Sequence, residues 1–212
     1  MQHRNVSTAR PQRIYSEAGF SLLELLIVVL IIGIFSAIAV PGWLGFARRQ
    51  ELRRAQSQAY WVMKAARRNA RRDKRAWQAT FRKQGDRIQW ALHKPEIVPD
   101  DLPSSAWTDF DGGIDIDANE TSLKKVKADT NLVTTAETHH YRTLFNYKGC
   151  PVYNPQDNCG ATSLGAKGRI TFKHGDMGEV RRCVIVSTLL GVVRKGEDAS
   201  EATADGKNCY RD

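Results

Sequence analysis

Hydrophobic and polar positions divide the chain into stretches of different character. Residues 1–19 (MQHRNVSTARPQRIYSEAG) are polar and carry no hydrophobic period, with Arg4, Arg10 and Arg13 set against the single acid Glu17. Residues 22–40 (LLELLIVVLIIGIFSAIAV) are apolar except for Glu24 and Ser36. As a helix this stretch is roughly 28 Å long, close to the hydrocarbon thickness of a bilayer. From Trp43 to about Lys74 the only helix breaker is Gly45. Leu44, Ala47, Leu52, Ala55, Ala59, Val62, Ala66 and Ala70 return at steps of three to five, which predicts an amphipathic helix whose small apolar stripe lies close against a sheet. Beyond it the period falls to two. Trp77, Ala79 and Phe81 alternate with polar residues, and so do Ile88, Trp90 and Leu92, with Gln84-Gly85-Asp86 between them as a hairpin turn. Further strands are expected at 114–116, 132–135, 141–147, 169–173, 179–187 and 191–194, followed by a polar tail pinned by Cys209. The pattern predicts an α+β fold, a long N-terminal helix packed on a largely antiparallel β-sheet.

Charge sharpens this division. The chain carries a net charge of +9, but residues 42–94 hold fifteen Lys and Arg against the acids Glu51, Asp73 and Asp86, a net of +12. Residues 95–212 are mildly acidic at −4. Lys64, Arg68, Arg71 and Arg75 fall at i, i+4, i+7 and i+11 and form one ridge, flanked by Arg67 and Arg72. Two readings fit the ridge. One is a solvated face, matched to acids such as Asp109, Asp111, Asp115 and Asp117 of a neighbouring subunit. The other is a polyanion site for nucleic-acid phosphates or acidic polysaccharide, with Tyr60, Trp61 and Trp77 as stacking aromatics or as core.

All four cysteines, Cys150, Cys159, Cys183 and Cys209, follow the apolar segment. Basic residues precede that segment, which places residues 1–19 in the cytoplasm and the cysteines outside, in an oxidising compartment. The pairing Cys150–Cys159 and Cys183–Cys209 is preferred because each closes a loop rich in Gly, Asn or Asp. A zinc site lacks the C-x-x-C spacing it needs. His139 and His140 are adjacent and would point to opposite faces of a strand, a poor chelate. The Asp111, Asp115 and Asp117 alternation lacks the glycine and glutamate of a calcium loop. No nucleophile elbow, metalloprotease or phosphate-loop motif occurs, so neither an enzyme activity nor a cofactor is expected.

The apolar segment admits a secretory signal, with Ala37-Ile38-Ala39 as its cleavage site, or a plain anchor. The first is too short for this run, and the second leaves Glu24 at bilayer depth without a partner. Glu17-Ala18-Gly19-Phe20-Ser21-Leu22-Leu23-Glu24-Leu25-Leu26 resembles the N-terminal signal of type IV pilins and pseudopilins. The resemblance covers roughly residues 17–45 and includes Gly33 and Pro41. It implies cleavage by a prepilin peptidase after Gly19, N-methylation of Phe20, and neutralisation of the new amine by Glu24 of a neighbouring subunit. It also implies a kink near Ala37–Pro41, where proline withholds a backbone donor.

The later residues resemble, more loosely, minor pilins and pseudopilins grouped with the general-secretion H protein and the fimbrial T protein. Those residues are Ala65-Ala66-Arg67-Arg68-Asn69-Ala70, Arg169-Ile170-Thr171-Phe172, Cys183-Val184-Ile185-Val186-Ser187 and Gly191-Val192-Val193-Arg194. The layout so implied is a leader (1–19), an apolar assembly helix (20–41), a basic helix (42–75) and a β-rich globular part (76–212). The expected protein is a minor pilin-like subunit of the inner membrane, then of a surface filament. Its partners would be other pilins, the prepilin peptidase and the assembly machinery. A type II secretion pseudopilin and a pilus-displayed DNA receptor are the alternatives.

Overall fold

The computed structural model describes residues 19–135, 140–178, 180–199, 202 and 206–210. The leader up to Ala18 and His139 lie outside them. Helical residues run Leu22–Asp73 (α1), and the chain forms two compact units, Met1–Trp43 and Leu44–Asp212.

In the first unit the described residues are almost entirely α1. Ser21 caps it: its Oγ accepts the backbone N–H of Glu24 at 3.2 Å, and its carbonyl accepts that of Leu25 at 3.2 Å. Ser at the cap with Glu three residues on is a helix-start signature, and an acid in the first turn complements the helix dipole.

In the second unit, α1 presents Leu52, Ala55, Ala59, Val62, Ala66 and Ala70, all buried, to a core shared with two sheets. Leu44, assigned to this stripe by its spacing, is 49% exposed and stands outside the core. Gln56 on the same face donates to the carbonyls of Cys183 (2.9 Å) and Gly196 (2.7 Å). A hydrogen bond and an ion pair also tie the helix to the end of the strand Gly168–His174: His174 Nε2 lies 3.2 Å from Glu51 Oε2, and Arg48 pairs with Asp176 at 3.2 Å. The helix ends at Asp73. Lys74 turns the chain with φ of 53°, Arg71 and Arg72 occupy the last turn, and Asp73 accepts the indole N–H of Trp77 at 3.0 Å.

Among the described residues ten strands follow: β1 (Trp77–Gln84), β2 (Arg87–His93), β3 (Thr108–Asp109), β4 (Ile114–Ile116), β5 (Lys124–Val126), β6 (His140–Phe145), β7 (Gly168–His174), β8 (Arg181–Val186), β9 (Val193–Asp198) and β10 (Cys209–Tyr210), with a short helix α2 (Ala161–Ala166) before β7. They form two five-stranded sheets, β3-β2-β1-β6-β5 and β10-β9-β8-β7-β4, with every pairing antiparallel. The alternating pattern thus yields two sheets, and the core fills from both. The β1–β2 turn is Gly85-Asp86, with Gly85 at φ of 60°, where a side chain would be strained. The expected strand at 132–135 is instead an isolated bridge, Val126 to Val133. The polar tail contributes two further pieces of sheet: β9 continues to Asp198, and β10 covers only its last two residues.

Disulfides join Cys150 to Cys159 and Cys183 to Cys209, with Cα separations of 5.6 and 6.1 Å. The second links β8 to β10 across β9. It passes over Gly196, where an added Cβ would stand 2.8 Å from Cys183 Sγ.

Candidate functional site

Two features carry functional chemistry, one in each unit. In the first, every large apolar side chain from Phe20 to Phe35 is at least 44% open, from Ile31 at 44% to Phe20 at 80%. Such a surface is stable only in lipid or against other chains. Among the described residues no single helix is long and apolar enough to cross a membrane. The stretch Leu22–Ala37 qualifies only as half of a broken pair, interrupted between Ala37 and Gly42. The break falls where Pro41 withholds its N–H from the ladder. Glu24 stands exposed in the first turn, and its backbone N–H, bonded to Ser21 Oγ, also starts the helix. Gly19 and Gly33 have open space where a Cβ would lie.

The second feature is a groove of about 1010 Å³ in the second unit, between the basic end of α1 and the β8–β9 turn. Tyr60, Trp61, Lys64, Ala65, Arg67, Arg68, Arg71, Arg72, Lys74, Val192 and Val193 line it, and none of these is acidic. The helix supplies the cations because its opposite face is committed to the core. Their environments differ. Lys64 donates to Tyr60 Oη at 3.2 Å and stands 5.0 Å from the Tyr60 and Trp61 ring centres. Arg67 is half-buried and donates to the Gly149 carbonyl at 3.2 Å, while burial and the Arg71 charge push its guanidinium down from the ordinary range. Arg72 is engaged with Asp73 at 2.8 Å. Lys64, Arg68, Arg71, Arg72 and Arg75 are exposed, and of the ridge and its flanks only Arg67 is half-buried.

Tyr60 also carries Lys195 on its ring at 5.3 Å, and that lysine donates to Ser57 Oγ at 2.9 Å. Lys195 belongs to β9, and only the fold brings it to the helix. The spacing of the strand offered no sign of it. Trp61 is 61% exposed, whereas Trp77 is half-buried. The acids considered as partners on a neighbouring subunit are largely engaged within their own chain. Asp109 holds Arg87 (3.0 Å), Asp115 holds Lys83 (2.8 Å) and Asp117 holds Arg181 (2.7 Å). Among the described residues no group of three His, Cys, Asp or Glu converges as a metal site.

Residues 15–40 match the family described as the prokaryotic N-terminal methylation motif. Two fimbrial proteins of Pseudomonas aeruginosa are each 43% identical to this chain over 51 residues. That stretch is 24% of this chain and 33% of those proteins, so the likeness spans about a third of their length. No solved structure matches the chain. The likeness to these fimbrial proteins and the methylation motif rest on the amino-terminal segment, which carries Gly19, Phe20 and Glu24.

Proposed function

We propose that the chain is a minor type IV pilin, made as a precursor, cut after Gly19, methylated on Phe20 and drawn from the inner membrane into a surface filament. The observation that carries this reading is the match over residues 15–40. The uncovered apolar helix supports it, since burial against other subunits removes that surface from water when the helix leaves lipid. In a low dielectric the amine freed at Phe20 and the Glu24 carboxylate of an adjoining copy stabilise each other, whereas either alone is costly. The two disulfides suit an exported globular unit.

Charge supports a minor rather than a principal subunit. Arg68, Arg71 and Arg75 are exposed on every copy, and close repetition along a filament would stack like charges, with Asp109, Asp115 and Asp117 already engaged within their own chain. Sparse insertion avoids that repulsion. The test is incorporation. Glu24→Ala is expected to stay in the membrane fraction and to be missing from sheared filaments, while Glu24→Asp enters them in reduced amount. Equal recovery of Glu24→Ala and the parent in filaments contradicts the reading.

A further inference from the structure

The hairpin that joins β8 to β9 carries two leucines at its crest. Leu190 is 65% exposed and Leu189 40%, and the turn that bears them is closed on itself. Gly191 N–H donates to the Thr188 carbonyl (3.0 Å) and Val192 N–H to Thr188 Oγ1 (3.1 Å), while Ser187 N–H and Oγ–H both donate to the Val192 carbonyl (2.9 and 3.3 Å). Gly191 adopts φ of 73°, and a Cβ there would strike the Gly149 carbonyl oxygen and lie 2.9 Å from the Phe145 ring. The turn cannot fold back, so both leucines are held out in water.

The approach to Gly149 sets a second turn beside the first. Asn146, fully buried, anchors it: its carbonyl accepts the Gly149 N–H (2.8 Å), and its Oδ1 accepts the N–H groups of Lys148 (3.1 Å) and Cys150 (3.0 Å). Tyr147 and Lys148 stand exposed at the crest, with Lys148 Nζ 5.3 Å from the Tyr147 ring centre. Behind them the stems of two helix arginines pack on Gly149, where a Cβ would lie 2.9 Å from Arg71 Cδ and 3.3 Å from Arg67 Cγ. The two crests and the basic end of α1 thus form one surface, and Val192 continues it from the leucines into the cationic groove.

A partner that suits only one half of this surface leaves the other half unmet. Nucleic-acid phosphates would answer the cations and leave the leucines in water, while a purely apolar partner would strand the cations. An anionic bilayer answers both, with phosphates at the headgroup level and acyl carbon just below. We propose that the paired turns Asn146–Gly149 and Thr188–Gly191 dock the protein on an anionic lipid surface. Leu189 and Leu190 enter the acyl boundary, and Tyr147 takes the interfacial level that suits a ring with a polar end. Lys148, Arg68 and Arg71 meet lipid phosphates. Because both turns are already fixed, little ordering is required on contact.

The full-length protein is reconstituted in biotin-tagged vesicles of phosphatidylcholine alone and incubated with a second, fluorescent vesicle population. That population is either phosphatidylcholine or an equimolar mixture with phosphatidylglycerol, and streptavidin beads report the fluorescence captured. The parent is expected to capture the anionic vesicles at least about tenfold over the neutral ones, and less as salt is raised. Leu189→Ser combined with Leu190→Ser keeps every charge and should lower capture by about tenfold, because the leucines no longer gain from burial. Arg68→Glu combined with Arg71→Glu should lower it by a similar factor at low salt. Equal capture of neutral and anionic vesicles, unchanged capture by the leucine variant, or no capture at all would overturn the proposal. So would full displacement of the vesicles by a single-stranded oligonucleotide at equal phosphate concentration, which would assign the surface to nucleic acid. The comparison of the two lipid compositions uses the parent protein alone, so it stands whether or not a variant folds.

Discussion

His93 Nε2 lies 2.9 Å from Thr80 Oγ1, between neighbouring strands in the interior of the first sheet. The Gln78 amide approaches the same nitrogen at 3.1 Å, and Nδ1 lies 3.0 Å from the Lys94 carbonyl oxygen. A carbonyl can only accept, so Nδ1 carries the proton and Nε2 accepts from Gln78 and Thr80. The site is built for a neutral ring. Burial first, and the nearby Arg142 charge in addition, push this histidine below its ordinary value, against the opposing pull of the Lys94 and Ile97 carbonyls.

The sign of the pH dependence follows. The unfolded chain takes up a proton below about pH 6.5 while the fold resists it, so stability is full above that value and declines as pH falls towards the lowered folded pKa. Thermal melts should therefore shift downward between about pH 7 and pH 5. His93→Gln, which keeps hydrogen-bonding capacity without titrating, should flatten that part of the profile. An unchanged slope in the variant contradicts the assignment.

Gly196→Ala places a methyl group beneath the Cys183–Cys209 disulfide, 2.8 Å from Cys183 Sγ and 3.0 Å from the Tyr210 backbone. Backbone on one side and a cross-link on the other leave little room to relax, so a loss of about 1–3 kcal/mol is expected from chemical denaturation. Losing the Cys183–Cys209 disulfide should itself cost on the order of 3 kcal/mol for a loop of this size. A Gly196→Ala protein as stable as the parent would mean that β9 and its disulfide shift freely.

Gln56→Leu removes a buried amide that bridges the Cys183 and Gly196 carbonyls. Leucine fills the space but offers no donor, so stability should fall by about 1–2 kcal/mol in urea titration. Gln56→Glu should be worse, since it puts acceptors against two carbonyls. If both variants match the parent, the Gln56 bridge contributes nothing to holding the helix.

The helix face and the first hairpin were legible because their signals are local. Leu52, Ala55, Ala59 and Val62 repeat at the helical period, and Gly85-Asp86 is a turn wherever two alternating runs flank it. What escaped was set by distant partners. The segment Lys124–Val126 carries two lysines and only one buried residue, and is a strand only because β6 lies beside it. Leu132 and Val133 carry strand-type side chains but remain exposed, with a single bridge at Val133. The ridge of Lys64, Arg68, Arg71 and Arg75 followed from spacing, whereas the place of Lys195 beside Tyr60 depends on the packing of β9 against the helix. The capping bond from the Glu24 N–H to Ser21 Oγ carries a sequence signal, the S-x-x-E spacing.

The account rests most heavily on how the chain begins once it has matured. Intact-mass and N-terminal fragment spectrometry of protein from sheared filaments tests this directly. The predicted result is a chain that starts at Phe20 with one methyl group on its amine. A chain starting at Met1, or one starting at Val40 after cleavage at Ala37-Ile38-Ala39, would contradict the filament account, because neither leaves an amine within the apolar helix for Glu24 of an adjoining copy to meet.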